Sequence, residues 1–303
     1  MTIGNKYSGK HKHVISIGGG LSSTVELPLL LHDMYPSDSI DMVICALAGE
    51  SPDLWRMVSW LEDKLNKPVH RVAWTSYKRS EFYGQTNQYW LNAPSWAWSD
   101  IWDAFYSSGR MGSSLADPCS RMLKRETMLA FMRDFYDNDN TTLHVGITAD
   151  EIDRMLAIRK NWSRSGWNVE APLTRYKNRD EANARSLELL GWTPFVYSWG
   201  GAHNNCNGFC VKAGHAQMAR LIHYDEPTFD YHAERELQFQ KDFNTTATIM
   251  RDRRTVNGKV VSSSLRLVDF KARMKQQWVN MLPGFDPFDG LSDTAGCYTC
   301  NAL

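Results

Sequence analysis

Three short apolar runs, spaced by helical stretches within the first 75 residues, constrain this chain more than any other feature. His13-Val-Ile-Ser-Ile17, Asp41 to Leu47 and Val69 to Trp74 have the length and apolar character of strands buried on both faces. Between the first two, Val25, Leu29 and Leu30 suit a helix capped by Ser22 or Ser23 and bent near Pro28. Between the next two, Ser51 and Pro52 read as an N-cap followed by a first-turn proline, and Leu54, Met57, Val58 and Leu61 share one face. Strand, helix, strand, helix, strand predicts right-handed crossovers. The fold class is therefore α/β, a Rossmann-like parallel twisted sheet with helices on both faces. Such sheets hold their ligands at the carboxyl ends of the strands, where the turn after Ile17 and the Gly49-Glu50 loop would both lie.

The pattern dissolves from Ser76 to Ala116 into aromatics, Ser, Asn and Gly, and reads as an insertion. Five tryptophans lie between Trp74 and Trp102; they pack this insertion, or one or two stack on a base. Helical spacing returns over Pro118 to Phe135. Leu143 to Ile147 is a fourth strand, helices follow from about Asp150 and over Asp180 to Leu190, and Phe195 to Ser198 is expected as a last short strand. A boundary near Trp199 divides a nucleotide-binding α/β domain, residues 1–199, from a mostly helical, cysteine-containing region, residues 200–303. In the latter, Gly208 to His223, Pro227 to Phe243 and Leu265 to Leu282 look helical, and Asn257-Gly258 predicts a hairpin turn.

Lys plus Arg equals Asp plus Glu, 34 each, so no global field draws the chain to nucleic acid. A local patch of Arg251, Arg253, Arg254, Arg266, Lys271, Arg273 and Lys275 keeps a nucleic-acid partner open, against plain packing of a charged face. No apolar stretch has the length of a signal peptide or membrane span, so the expected compartment is the cytoplasm, with no membrane partner. There the six cysteines point to metal or thiol chemistry before disulfides.

Gly18-Gly19-Gly20-Leu21-Ser22-Ser23, between strand and helix, is a candidate phosphate cradle, because bare backbone amides approach an anion closely. The alternative is a turn that merely lets helix pack on strand; the Walker and dinucleotide spacings are both absent. Arg121, Lys124 and Arg125, spaced i, i+3, i+4, would share a helical face suited to a polyanion, or a solvated one. Glu151, Asp153 and Arg154 open a helix at a strand's carboxyl end. Cys206-x3-Cys210 and Cys297-x2-Cys300 offer four thiolates, which suit tetrahedral zinc or an iron–sulfur cluster. Cys119 would replace one ligand or act as a lone thiol, and Cys45 inside a strand is core. His203, Asn204 and Asn205 order the cysteine loop or touch a substrate.

In this order the segments resemble the phosphoadenosine phosphosulfate (PAPS) reductase family of the ATP-pyrophosphatase, or adenine nucleotide α-hydrolase, superfamily. The matching strings are GGGLSST at Gly18, LAGESPDLW at Leu47, DPCSRMLKRE at Asp117, HVGITADEIDRM at His144, EAPL at Glu170 and HNNCNGFCVKAG at His203. The last is similar to a block in bacterial and phage members, and the likeness spans residues 13 to 223. It implies an adenine nucleotide, PAPS or ATP, over Gly18, Gly19, Gly20, Ser22, Ser23, Gly49 and Glu50. It implies contacts from Arg121, Lys124 and Arg125 to phosphate or sulfate, with Glu151 and Arg154 alongside. It further implies a [4Fe–4S] cluster, or zinc instead, on Cys206, Cys210, Cys297 and Cys300. The catalytic thiolate would be Cys297 or Cys300, with Cys119 a third candidate, a thiol protein would be the reductant, and a phage-encoded chain would work in its host's cytoplasm.

The chain departs from the family loop S-G-G-x-D-S, which here has Gly18 for the first Ser and Ser22 for the Asp. The lost carboxylate is the one suited to magnesium-assisted cleavage of ATP. The Glu-Cys-Gly tail of thioredoxin-using reductases is replaced by Gly296-Cys297-Tyr298-Thr299-Cys300, and the adjacent Cys-Cys pair of cluster-bearing relatives is missing. Three functions stay open: reductive sulfur transfer, ATP-dependent modification or thiolation of a nucleobase or nucleic acid, and nucleotide binding without turnover.

Overall fold

The computed structural model describes residues 10–75, 89–256, 259–281 and 284–291. Cys297 and Cys300, and the Asn257-Gly258 turn, lie outside the described residues. In chain order the elements are β1 (Lys12–Ile17), α1 (Leu21–Thr24), α2 (Glu26–Met34), β2 (Ile40–Cys45), α3 (Pro52–Leu65), β3 (Val69–Trp74) and β4 (Tyr89–Leu91). They continue with α4 (Ile101–Ser108), α5 (Thr127–Phe135), β5 (Thr141–Val145), α6 (Ile152–Ser163), β6 (Asn168–Glu170), α7 (Arg179–Leu190) and α8 (Phe195–Ser198). Then follow α9 (His215–Tyr224), α10 (Glu226–Asp242), β7 (Met250–Val256), β8 (Lys259–Leu265) and α11 (Leu267–Val279).

The chain divides into two compact units. Among the described residues one holds everything up to Asp100 together with Ser120–Phe195, and the other holds Ile101–Cys119 and all that follows Val196. The first unit is the α/β body. Its six strands run in the order β4-β3-β2-β1-β5-β6, parallel except for the edge strand β4. Val14, Ile15, Met42, Val43, Val72 and Leu143 are at most 1% exposed, which is why these strands read as unbroken apolar runs. From β1 the chain lays strands outward on one side, then crosses to the other side for β5. The carboxyl ends of β1 and β5 therefore form a topological switch point, where open α/β sheets place their ligands.

The helix after β1 is interrupted at Val25, which itself keeps αR angles. Pro28 has no N–H for the carbonyl of Thr24, and α1 ends there before α2 begins at Glu26. The N-cap is Gly20, not Ser22 or Ser23, which lie inside α1. At α3 the expected cap is present: Ser51 Oγ accepts from Asp53 N at 3.2 Å and Pro52 is the first helical residue.

In the second unit Trp102, Phe105, Phe209, Phe229, Phe239 and Phe270 are fully buried. His232 stacks on Phe209 with ring centroids 3.7 Å apart and accepts from Trp102 Nε1 at 3.0 Å. Phe195 to Ser198, expected as a strand, is one helical turn. Its aromatic and β-branched residues favour strand, but no neighbouring strand pairs with it among the described residues. The helix expected from Gly208 starts only at His215. β7 and β8 form a two-stranded antiparallel sheet. No helix among the described residues is long and apolar enough to cross a membrane.

Candidate functional site

The glycine turn follows β1 directly at the switch point. Gly19 has φ +80°, a conformation that side chains rarely adopt, and Gly20 is extended before α1. The hydroxyls of Ser23 and Thr24 both donate to Gly20 O, at 3.0 and 2.7 Å, so they brace the turn from within. The loop after β5 presses against it. A Cβ on Gly146 would stand 2.5 Å from Ser23 Cβ and 3.1 Å from Ser23 Cα, so only glycine allows this approach. Gly49, with φ +78°, and the buried Glu50 follow β2 on the same edge.

Two buried carboxylates organise the cations of this edge. Glu50 Oε1 lies 3.1 Å from Lys124 Nζ. Glu151 Oε1 accepts from Arg154 Nη1 at 2.7 Å and also from Arg179 Nη2 at 2.9 Å. Burial works to raise the Glu151 carboxyl, but the two guanidiniums outweigh it and hold the group below the usual carboxylate range. Thr148 Oγ1 donates to Asp150 at 2.6 Å and lies 3.5 Å from the second oxygen of Glu151. Arg179 is a residue that sequence reasoning missed. Its contact with Glu151 spans 28 positions and belongs to no motif.

The basic helix face requires a correction. Arg121, Lys124 and Arg125 sit in a π-helical stretch, Ser120–Glu126. The three do not share one exposed face, as their burial shows. Arg121 is exposed and lies 3.8 Å from Glu126, Lys124 reaches Glu50, and Arg125 is buried. Lys124 is thereby tied to a carboxylate of the glycine-loop edge. Cys45 donates to Lys124 O at 3.4 Å, and burial pushes its thiol up to about 12, as befits a core cysteine.

In the second unit Cys206 and Cys210 lie on the loop that follows His203. Cys206 and Asn207, both at φ +52°, and Gly208 at φ +83° make three successive left-handed residues. Gln217 staples this loop: its Nε2 donates to His203 O and Gly208 O, and its Oε1 accepts from Ala202 N. Asn204 is 0% exposed, and neither atom of its amide has a hydrogen-bond partner among the described residues. Cys119 and Cys210 are buried and Cys206 is half-buried. Two of the four thiols expected of a metal centre are thus described. Among the described residues no group of three or more His, Cys, Asp or Glu is placed to hold a metal ion. A pair of cysteines falls short of the four ligands that zinc or an iron–sulfur cluster takes.

The aromatic insertion packs on α3 and on itself where it is described: Trp98 lies 4.5 Å from Trp55 of α3 between ring centroids, and Trp90 meets Trp96 edge-on. The basic C-terminal helix is matched by acids. Arg266 pairs with Asp269, Lys271 with Glu226 and Asp230, Arg273 with Asp252, and Lys275 with Glu226.

Compared with known proteins, the chain matches no family model and no curated protein.

Proposed function

We propose that the switch point between β1 and β5 binds an adenine nucleotide, and that the protein is a PAPS-reductase-like enzyme of reductive sulfur transfer. The observation that carries the binding half is the meeting of the glycine turn with the Gly146–Glu151 loop, on the edge where Lys124, Arg154 and Arg179 are anchored by carboxylates. Phosphate oxygens would take the amides of Gly18 to Ser23, and the cations would balance their charge. The sulfur half rests on the resemblance of the sequence segments. A cysteine thiolate, Cys297 or Cys300, would attack the sulfuryl sulfur; an S–S bond forms, the sulfur–oxygen bond breaks, and adenosine bisphosphate leaves with the electron pair. The second thiolate then attacks the first cysteine's sulfur and releases sulfite. The resulting disulfide is reopened by a thiol reductant.

A zinc ion or [4Fe–4S] cluster on Cys206, Cys210, Cys297 and Cys300 is the alternative use of these thiols: were all four bound, Cys297 and Cys300 would serve as ligands and not as the attacking pair. Nucleotide binding without turnover is the second reading, and Ser22 in place of a carboxylate favours it. Pure protein, kept anaerobic with a thiol reductant and given PAPS or ATP, separates the readings. Sulfite and adenosine bisphosphate are expected. AMP with pyrophosphate would establish adenylation in their place, and tight retention of intact nucleotide would establish a binding protein.

A further inference from the structure

We propose that the β7–β8 ribbon is a nucleic-acid-binding arm, which lies in the groove of a duplex and holds its phosphates through cations and serine hydroxyls. The arm belongs to the second compact unit and does not depend on the nucleotide reading above.

Residues 250–265 hold Arg251, Arg253, Arg254 and Lys259 against a single acid, Asp252, in a chain whose 34 cations and 34 acids cancel. The segment is therefore an island of positive charge on a neutral protein. Its one acid is engaged by α11, where Arg273 lies 3.3 Å from Asp252. The cations of α11 itself face carboxylates: Lys271 and Lys275 meet Glu226, and Lys271 also meets Asp230. Arg251 and Lys259 differ from these, for neither has a carboxylate partner among the described residues. Arg251 Nε donates to Ser262 Oγ at 2.8 Å and its Nη2 to Ser262 O at 3.2 Å. These bonds lay the guanidinium across the ribbon and leave Nη1 unengaged among the described residues.

The shape agrees with the charge. β7 and β8 pair over seven positions, from Met250 opposite Leu265 to Val256 opposite Lys259. No third strand joins them among the described residues. Met250 and Leu265, the pair at the base, are buried, whereas Val261 is 52% exposed and Lys259, Ser262, Ser263 and Ser264 are exposed. The ribbon is thus rooted at its base, and the described residues of β8 beyond that base stand in solvent. It is about 20 Å long, and the major groove of a duplex, about 12 Å wide, admits a two-stranded ribbon. Arginine, lysine and serine are among the side chains that contact phosphate and sugar. Charge also decides between the occupants of an open strand edge. A second copy of the ribbon would set like charges side by side, and an apolar partner would strip water from the guanidinium and give nothing back. A duplex answers both the width and the sign.

The test is fluorescence anisotropy of the full chain with a labelled mixed-sequence duplex of about 20 base pairs, at about 50 and 200 mM salt. R251Q and K259Q are each expected to weaken binding and to lower the log–log salt slope by about 1. R251Q/R253Q/R254Q/K259Q is expected to lose at least about tenfold in affinity at the lower salt. Lys275→Gln, on α11 beside Glu226, should stay within about twofold of wild type, because its charge is already matched. ATP binding by the quadruple variant should not change. Wild type that leaves the duplex free, or a quadruple variant that binds it like wild type, overturns the proposal and makes the cations guards of an open edge. Tighter binding of a single strand of the same length overturns the groove assignment. A dimer in sedimentation that the quadruple variant dissolves assigns the ribbon to self-association instead. K259Q, at an exposed position, keeps the result readable if the quadruple variant folds poorly.

Discussion

The two edges of the parallel sheet use the same kinds of polar residue in different settings. At the amino edge the charged groups close on neighbours, although the buried Thr141 hydroxyl and His144 Nδ1 make no hydrogen bond among the described residues. Lys12 Nζ donates to Asp38 O at 2.7 Å and lies 3.4 Å from Asp41, whose other bond comes from Tyr136 at 3.1 Å. His13 Nδ1 meets His144 Nε2 at 3.0 Å, and His11 reaches Thr142. At the carboxyl edge buried acids join separate elements: Glu50 reaches Lys124, and Glu151 accepts from both Arg154 and Arg179. Both edges bury paired charge, so burial of charge does not by itself mark a site; what sets the carboxyl edge apart is that it also carries the glycine turn at the switch point.

The largest effect should come from breaking the closed edge. Asp41→Ala removes the carboxylate partner of the Lys12 ammonium, 7% exposed, and of the Tyr136 hydroxyl, at a cost of about 3 kcal/mol in denaturant melts. Nucleotide affinity of the folded protein should not change; a parallel loss of affinity would break the comparison. The histidines give the amino edge a pH signature. Burial, with help from His13 and His11, lowers His144 to about 3, and burial lowers His13 too. Below the unfolded value of 6.5 the unfolded chain takes up protons that the folded state refuses. Stability should therefore fall with decreasing pH, by about 1.4 kcal/mol per unit for His144 alone, and the limb should be shallower in His144→Phe.

At the carboxyl edge, Gly146→Ala drives a methyl group into Ser23. We expect a loss of about 1–3 kcal/mol, and, unlike Asp41→Ala, a matching drop in ATP affinity by calorimetry. Gly18→Ser should be the mildest change. Its Cβ would meet Ser23 Oγ at 3.3 Å, and no positive φ is needed there, so melting should move by less than about 0.5 kcal/mol. Any change in ATP affinity then reports the turn's role in binding rather than in folding.

The sheet was legible because β1, β2 and β3 are buried on both faces and so spell apolar runs. β5 was displaced by two residues: Thr141 and Thr142 are buried strand residues whose hydroxyls disguise them. The glycine turn and Glu50 were visible from their position after strands. Arg179 was not, because its meaning lies in a contact made through the fold. The face expected of Arg121, Lys124 and Arg125 was read from spacing alone, which does not tell which side the fold covers: Arg121 is exposed and Arg125 buried, in a segment wound as a π-helix. The loop from Asn204 to Gly208 offered cysteines to the eye, while its left-handed backbone and unmatched amide show only in three dimensions.

The interruption before Pro28 has an electrostatic consequence. A macrodipole grows from peptide units aligned end to end, and α1 contributes a single turn before the interruption at Val25. In the proposed nucleotide site, attraction for an anion would therefore come from a few individually aimed amides and from side-chain cations, whose pull is screened by salt. The protein would behave as a salt-tuned receptor, its occupancy set by the surrounding electrolyte as much as by the amount of ligand.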